Sequence, residues 1–480
     1  MGSYLGAAGA SESPYYTNLL RPSTRPEIGE GIGPRMPPPE DAVTYPVMVA
    51  AYALGMSNDT LSSLRTDVPV VPAGSPVTRH LLLTLTAPEA PRTAVRPSMH
   101  VAFVLDRSGS MGGSKIRLAR VAVTQALGML RSDDRFALVA YDDRVDVVVE
   151  STSASAEARR HALRSLQAID ARGSTDLAGG WMAGCEQVAP HLAEEPAGRC
   201  LLLTDGLANA GVTDPAELAA RAGSLRPRHI VTSTFGVGAD FDEELLQRLA
   251  EQSGGHFYFI ESPAQIPDLL TSELGEALEV VARDANVAVQ LPAGMRAAPL
   301  TRLESCPTDS GIRIGLGDLV SGQELEVVIR VDVPSIARGQ AVGVHITLAD
   351  RDGVLASAPQ GVTWIGADEA GVLGARRDRK VDRAVAALYA ARARHEAVAL
   401  NRAGEFGKAR ALLEATASRI ARYGGRDGEL AAIVRRLRAE AAQFGEDIGP
   451  MARKAAHFAS YSLMQSRAAD GKARRKVRLP

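Results

Sequence analysis

The sequence predicts an α/β, doubly wound domain inserted in an all-β sandwich, followed by an all-α C-terminal helical domain. Three observations carry this reading. Between 98 and 282, continuous apolar strands alternate with amphipathic helices; from about 284 to 366 short strands separated by turns take over; after "RRDRK" the chain turns Ala-rich with helical periodicity. At 480 residues the chain is too long for one growing core, so several domains are expected.

The elements follow in order. Residues 1 to 65 form a Pro/Gly/Ser-rich extended leader, including "PRMPPPE", with one short apolar docking segment at 47 to 56. Within 66 to 97, "TRHLLLTLTAP" is strand-like and bounded by turn residues. Strands "MHVAFVLD", "RFALVAYD", "VDVVVE", "RCLLLTDG", "HIVTSTFGVG" and "HFYFI" lie in 98 to 282 with the helical stretches "KIRLARVAVTQALGML", "SAEARRHALRSLQAI", "PAELAARAGSL", "FDEELLQRLAEQSGG" and "IPDLLTSELGEALEVVA" among them. Strands that are apolar throughout require cover on both faces, as in a mostly parallel sheet. Residues 283 to 367 hold five short strands. Five make a thin sandwich, so the orphan strand at 80 to 86 is expected to pair with them across the α/β domain. Helices joined by short turns fill 368 to 468, and 469 to 480 is a basic, disordered tail, with five basic residues from Lys472 to Arg478.

Composition narrows the function. A net charge of −2 gives no basis for nucleic-acid or membrane binding. Cys185, Cys200 and Cys306 are far apart and odd in number, which argues against a disulfide framework or a zinc site and for a reducing cytoplasm. The N-terminus lacks the basic and apolar regions of a signal peptide, and 47 to 56 is too short to span a bilayer.

"VLDRSGSMGGSK" (104 to 115) looks at first like a phosphate loop. Such a loop needs G-x-x-x-x-G-K-[ST]; here Ser114 stands at the second glycine and Ile116 at the hydroxyl, so the nucleotide reading fails. As a set of oxygen donors it fits better. Asp106, Ser108 and Ser110 alternate on the turn leaving a buried strand, so one carboxylate and two hydroxyls converge on a hard cation. Neighbouring loops at the carboxyl ends of the strands would supply further oxygens. Lys115 is then expected to lie exposed in the first turn of the following helix.

D-x-S-x-S after a buried strand, a later "GST" and a still later "LLLTDG" resemble the von Willebrand factor A-type (VWA) domain with its metal-ion-dependent adhesion site. The resemblance covers roughly 98 to 282. It implies metal ligation by Asp106, Ser108, Ser110, Thr175 and Asp205, with Mg²⁺ as cofactor, or Mn²⁺ or Ca²⁺, and a Glu or Asp carboxylate of a protein partner completing the shell. It also implies parallel strands with one antiparallel edge, here 145 to 150. Arg107, Met111, Gly112, Ser174, Asp176, Gly206 and Leu207 would form the partner-reading rim. By architecture alone, the α/β domain within a β-unit resembles inter-alpha-trypsin inhibitor heavy chains and related bacterial proteins.

The function expected is that of a non-enzymatic, metal-dependent adaptor in a bacterial-type assembly. The alternatives are a recruiting subunit for a partner ATPase, kinase or phosphatase, or a structural homo-oligomer. No His falls within the three motifs, and "HEAVA" at 395 to 399 lacks the second His of a zinc protease, leaving His395 on a helix surface. His256 is read as structural and "GLGDL" (315 to 319) as a β-turn. The carboxylate pairs of "DFDEE" and "AEE" are read as favourable charge at helix starts, and "YDDR" as a turn.

Overall fold

The computed structural model describes residues 61–90, 96–192, 198–355 and 358–475. Residues 1–60 of the leader with its docking segment, the "AEE" pair and the last five residues of the tail lie outside the described residues; the leader's end, 61–65, is no extended lead-in but belongs to a strand paired with Leu82–Thr86.

Strands β1 (Leu61–Thr66), β2 (Val70–Pro72) and β3 (Val77–Thr86) precede the α/β domain. That domain comprises β4 (His100–Asp106), α1 (Ser114–Met129), β5 (Arg135–Tyr141), β6 (Val145–Ser153), α2 (Ala156–Gln167) and α3 (Leu177–Val188). It continues with β7 (Gly198–Thr204), α4 (Pro215–Leu225), β8 (Ile230–Val237), α5 (Glu243–Ser253), β9 (Phe257–Ile260) and α6 (Ile266–Leu278). The strand order is β6-β5-β4-β7-β8-β9, parallel except for the antiparallel edge strand β6. All residues of β4 and β7 are buried, which explains their unbroken apolar runs.

The sandwich follows, with β10 (Val280–Gln290), β11 (Arg296–Pro299), β12 (Ser305–Thr308), β13 (Gly311–Val320), β14 (Glu324–Val333), β15 (Ala341–Ala349) and β16 (Gln360–Ala367). One sheet runs β1-β3-β14-β11, the other β12-β13-β10-β15-β16-β2. β3 pairs with β14 along its whole length, Val77 opposite Val333 and Thr86 opposite Glu324, so the α/β domain is inserted between two strands of one sheet. Leu81, Leu83, Leu85, Val327 and Ile329 from one sheet meet Val287, Ile314, Val344, Ile346 and Trp364 from the other in one core. "GLGDL" belongs to β13 and forms no β-turn; the register against β10 shifts there, and Gly317 takes the left-handed conformation (φ 76°) that the irregularity requires.

The helical part comprises α7 (Glu369–Gly374), α8 (Arg379–Arg402), α9 (Phe406–Gly424), α10 (Gly428–Phe444) and α11 (Gly449–Met464). Small residues of α8, including Ala390 and Ala397, let Leu413 and Ile420 of α9 and Leu430 and Leu437 of α10 close over them. Among the described residues no helix is long and apolar enough to cross a membrane.

Three expectations need correction. Residues 469–475 are bound to the body of the protein: Lys472 pairs with Asp268 at 2.8 Å, Arg475 with Glu279 at 2.6 Å, and the Glu324 amide donates to the Arg474 carbonyl at 2.8 Å. The acidic partners of this basic stretch are remote in sequence, so its composition alone reads as solvated. His395 is partly buried; its ring lies tilted at 43° against that of His457 with centroids 4.8 Å apart, and Arg302 lies 3.2 Å from its Nε2. Helix α3 was not anticipated, because ten of its twelve residues are buried and it shows no amphipathic period. Its glycines are there for close approach: a Cβ on Gly180 would stand 2.3 Å from Cγ of Tyr141, and one on Gly184 2.3 Å from Cγ2 of Val104.

Candidate metal centre

The site lies where the strand order reverses, at the carboxyl ends of β4 and β7, the position at which open α/β sheets bind ligands. Register builds its base. Leu105 pairs with Leu203, so Asp106, the last residue of β4, stands beside Thr204 and Asp205. Asp106 accepts from the Ser108 amide at 2.7 Å and from the Thr204 hydroxyl at 2.6 Å. Beyond it the chain makes a single 3₁₀ turn, Gly109–Met111, which bends Ser110 back until its Oγ lies 3.2 Å from Ser108 Oγ and donates to Asp205 at 2.6 Å. Gly113 then takes a positive φ (76°) before α1 begins.

Thr175 arrives on the loop before α3. This loop is fastened to the first one by backbone bonds, Gly109 N–H to the Gly173 carbonyl at 3.1 Å and Arg172 N–H to the Arg107 carbonyl at 2.7 Å. The third loop holds it from the other side. Asn209 Oδ1 accepts from the Thr175 amide at 2.9 Å, and the Asn209 and Ala210 amides donate to the Thr175 carbonyl at 3.2 Å. Gly206 separates Thr175 from Ser110: a Cβ there would stand 3.4 Å from Thr175 Oγ1 and 4.0 Å from Ser110 Oγ. Asp106, Ser108, Ser110, Thr175 and Asp205 are thus brought to one place. Asn209 and Thr204 belong to the same construction and were not singled out from the sequence, although the third loop's polar run "TDGLAN" contains both.

Electrostatics describe an acidic floor that attracts a cation. Burial pushes the Asp106 carboxyl above its ordinary value; hydrogen bonds from Thr204 and Ser108 oppose the rise, and the neighbouring Asp205 charge adds to it. Asp205, fully buried, accepts from Ser110 on one oxygen and is ion-paired through the other to Lys115. Lys115 does lie in the first turn of α1, but its side chain is only 24% exposed and reaches over the site, contrary to the expectation of a free lysine. An all-oxygen donor set of two carboxylates and three hydroxyls, already holding an ammonium group, fits a hard divalent cation.

The expected rim divides. Gly112, Ser174 and Leu207 are exposed, Gly206 and Asp176 are half-buried, and Asp176 caps α3 by accepting from the Gly179 amide at 2.9 Å. Arg107 and Met111 are buried and do not belong to the rim. Met111 is the apolar underside of the 3₁₀ turn. Arg107 turns inward to Asp142, at 3.0 Å, and to Asp146, and Arg172 joins it on Asp142 at 2.7 Å. Burial would raise the Asp142 carboxyl, but Arg172, the Arg144 amide and Arg107 outweigh it and hold it below the ordinary range.

A second cluster lies at the other end of the sheet. A cavity of about 600 Å³ opens there between the α/β domain and the sandwich, lined in part by His256, Glu273, Glu276, Arg302 and Asp318. Ligand atoms of His256, Glu273 and Glu276 come within 4.8 Å of one another. The Arg467 guanidinium fills that cluster, 2.5 Å from Glu276 and 3.0 Å from His256 Nε2. Burial raises Glu273, but His256 and Arg467 override it and hold it far below its ordinary value. The cluster is a self-neutralised joint between domains.

Comparison with known proteins agrees with the fold. Residues 100–272 match the von Willebrand factor type A domain. Over 196 residues, 40% of this chain and 34% of the relative, the chain is 28% identical to the uncharacterized protein YfbK of Escherichia coli strain K12. It is 24% identical over 281 residues to the uncharacterized protein sll0103 of Synechocystis, covering 56% of this chain and 66% of that one. Human inter-alpha-trypsin inhibitor heavy chain H1 is 29% identical over 175 residues, 35% of this chain and 19% of the relative. The chain therefore spans a third to just under two thirds of the first two relatives, and far less of the third. Among solved structures, a von Willebrand factor type A protein from Catenulispora acidiphila superposes with a TM-score of 0.61 at 21% identity, covering 79% of this chain and 89% of that one. The ArnB paralog VWA2 from Sulfolobus acidocaldarius gives 0.52 at 16% identity, covering 82% and 98%. These two likenesses show the fold alone. Residues 100–272 are thus a VWA domain, distantly similar to the matching regions of YfbK and the inter-alpha-trypsin inhibitor heavy chains.

Proposed function

We propose that the protein is a non-catalytic, metal-dependent adaptor that captures the Glu or Asp carboxylate of a protein partner at this site. The supporting observation is the convergence of five oxygen-bearing side chains on the exposed mouth of a VWA domain, a domain that typically serves adhesion and protein–protein interaction. Asp106, Ser108, Ser110, Thr175 and Asp205 would hold Mg²⁺ and leave one of its six positions to the partner. When bound, the ion supplies a Lewis-acidic anchor for an anionic ligand.

The chain's own residues do the rest. Ser108, Thr204 and the inter-loop backbone bonds hold the donors in place before the partner arrives, so little ordering is lost on binding. Gly112, Ser174 and Leu207 provide the exposed surface that reads the partner's shape. Both carboxylates are engaged, Asp106 by Ser108 and Thr204 and Asp205 by Ser110 and Lys115, which favours a binder over a hydrolase needing a free general base. The exposed free thiol of Cys306 supports a reducing, cytoplasmic setting.

The test is affinity capture with the full chain in Mg²⁺ and in EDTA, alongside Ser110→Ala and Thr175→Ala. Partners that depend on Mg²⁺ and are lost in both variants are expected. A partner set unchanged by chelation and by both substitutions contradicts the proposal.

A further inference from the structure

We propose that Lys115 is a built-in competitor for the cation, so that the site takes a divalent metal only by displacing this ammonium group from Asp205. The inference rests on the metal-bridge reading above and deepens it by naming a residue that sets metal affinity.

The geometry is specific. The Gly112–Gly113 turn, with Gly113 at φ 76°, starts α1 directly beside the donor loops and places Lys115 in its first turn. From there the side chain reaches across to one oxygen of Asp205 while Ser110 donates to the other at 2.6 Å. Asp106 is engaged separately, by the Ser108 amide and the Thr204 hydroxyl, so the ammonium neutralises the carboxylate to which, among the described residues, only Ser110 otherwise donates. Asp205 is fully buried, and a buried carboxylate stripped of its cation is costly. The protein has therefore supplied its own counter-charge where the metal reading needs one.

The same geometry lets the competitor leave. Lys115 retains 24% of its side-chain exposure, and it is a flexible, strongly hydrated point charge without a bidentate fork. Gly238, just beyond β8, borders it: a Cβ built there would stand 4.0 Å from Nζ, so the ammonium passes over bare backbone. A metal ion entering the five-oxygen site takes over the charge on Asp205, and the lysine swings to solvent. Metal affinity is then lowered by the free energy of one charge-assisted hydrogen bond, and the metal-free site stays closed to stray cations.

Mn²⁺ titration calorimetry on the full chain tests this, comparing wild type, Lys115→Gln and Lys115→Ala, with melting in EDTA as a second measurement. Both neutral variants are expected to bind one Mn²⁺ about tenfold more tightly, the equivalent of ~1.4 kcal/mol. In EDTA they are expected to melt below wild type, because Asp205 has lost its partner, and at saturating Mn²⁺ to recover to the wild-type value. If wild type binds Mn²⁺ and the neutral variants bind it equally or less tightly, Lys115 is no competitor and the inference falls while the metal-bridge reading stands. If neither wild type nor variant binds Mn²⁺, the metal-bridge reading falls and takes this inference with it.

Discussion

Ser110 connects the two halves of the site, touching Ser108 on its own turn and Asp205 from the next strand, yet it is exposed and carries no core packing. Ser110→Ala is expected to cost about 1.5–3 kcal/mol in EDTA, since it takes a hydrogen bond from the buried Asp205 carboxylate, but to leave the protein folded. It should nevertheless abolish the rise in melting temperature given by Mg²⁺, a rise corresponding to about 2.7 kcal/mol at a hundredfold excess over the dissociation constant. Differential scanning fluorimetry at varied Mg²⁺ checks both. A different residue-scale prediction concerns pH. Burial and the Arg302 charge lower His395 to about 4, and burial and the neighbouring His395 lower His457 to about 3. Both imidazoles are neutral in the fold, so unfolding takes up protons between the folded values and the ordinary 6.5. Their contribution is fully present above pH 6.5 and is lost as pH falls through about 4 and then about 3. Urea unfolding midpoints should fall over that window, and substituting His457 by Gln should flatten the fall; equal slopes in both proteins would contradict the assignment. Asp106, Ser108 and Ser110 were legible together because their spacing on one turn is a local property, whereas Thr175 and Asp205 came only from the resemblance of "GST" and "LLLTDG" to the VWA motifs. Lys115, Arg107 and Met111 were misjudged because their surroundings, Asp205, Asp142 and the underside of the turn, come from other segments.

Helix α3 shows what periodicity leaves out. It is fixed by burial on all sides, and its small residues are what allow that burial: Gly180 faces the Tyr141 ring and Gly184 faces Val104. Gly180→Ala inserts a methyl where none fits, and a loss of about 1–3 kcal/mol is expected from overpacking, measured as a lower urea midpoint with unchanged slope. A neutral result would mean that α3 can shift away from β5, and Thr175 with it. Strands were easier to read than this helix. Those of the parallel sheet announced themselves by continuous apolar runs, and β3 was recognisable as an orphan needing partners, which it finds in β14 and β1. The β13 strand was taken for a turn at "GLGDL" because a bulge and a turn use the same glycine chemistry.

At the scale of the whole molecule, the α/β domain is held at the amino ends of its strands and along its β8–β9 side, while among the described residues Gly112, Ser174 and Leu207 beside the metal centre stay exposed. Arg199 reaches Asp318 of the sandwich at 2.8 Å, and Lys454 of α11 meets Glu243 at 2.6 Å. Phe257 of β9 packs against Phe458 and Tyr461 with ring centroids 5.8 Å apart in each case. Arg467 is the tightest of these joints, buried among Glu276, His256 and Tyr258. Removing it leaves buried carboxylate without a counter-charge, so Arg467→Ala is expected to cost about 3–5 kcal/mol in chemical denaturation; a loss under about 1 kcal/mol would show that the joint is dispensable. The two candidate cation clusters stand at opposite ends of one sheet. The account's central claim is that the metal belongs to the one at the carboxyl ends of β4 and β7. Crystals of the full chain grown with Mn²⁺ and measured for anomalous scattering test it most directly. One peak among Asp106, Ser108, Ser110, Thr175 and Asp205 is the predicted result. No peak there, or a peak among His256, Glu273 and Glu276 instead, would contradict it.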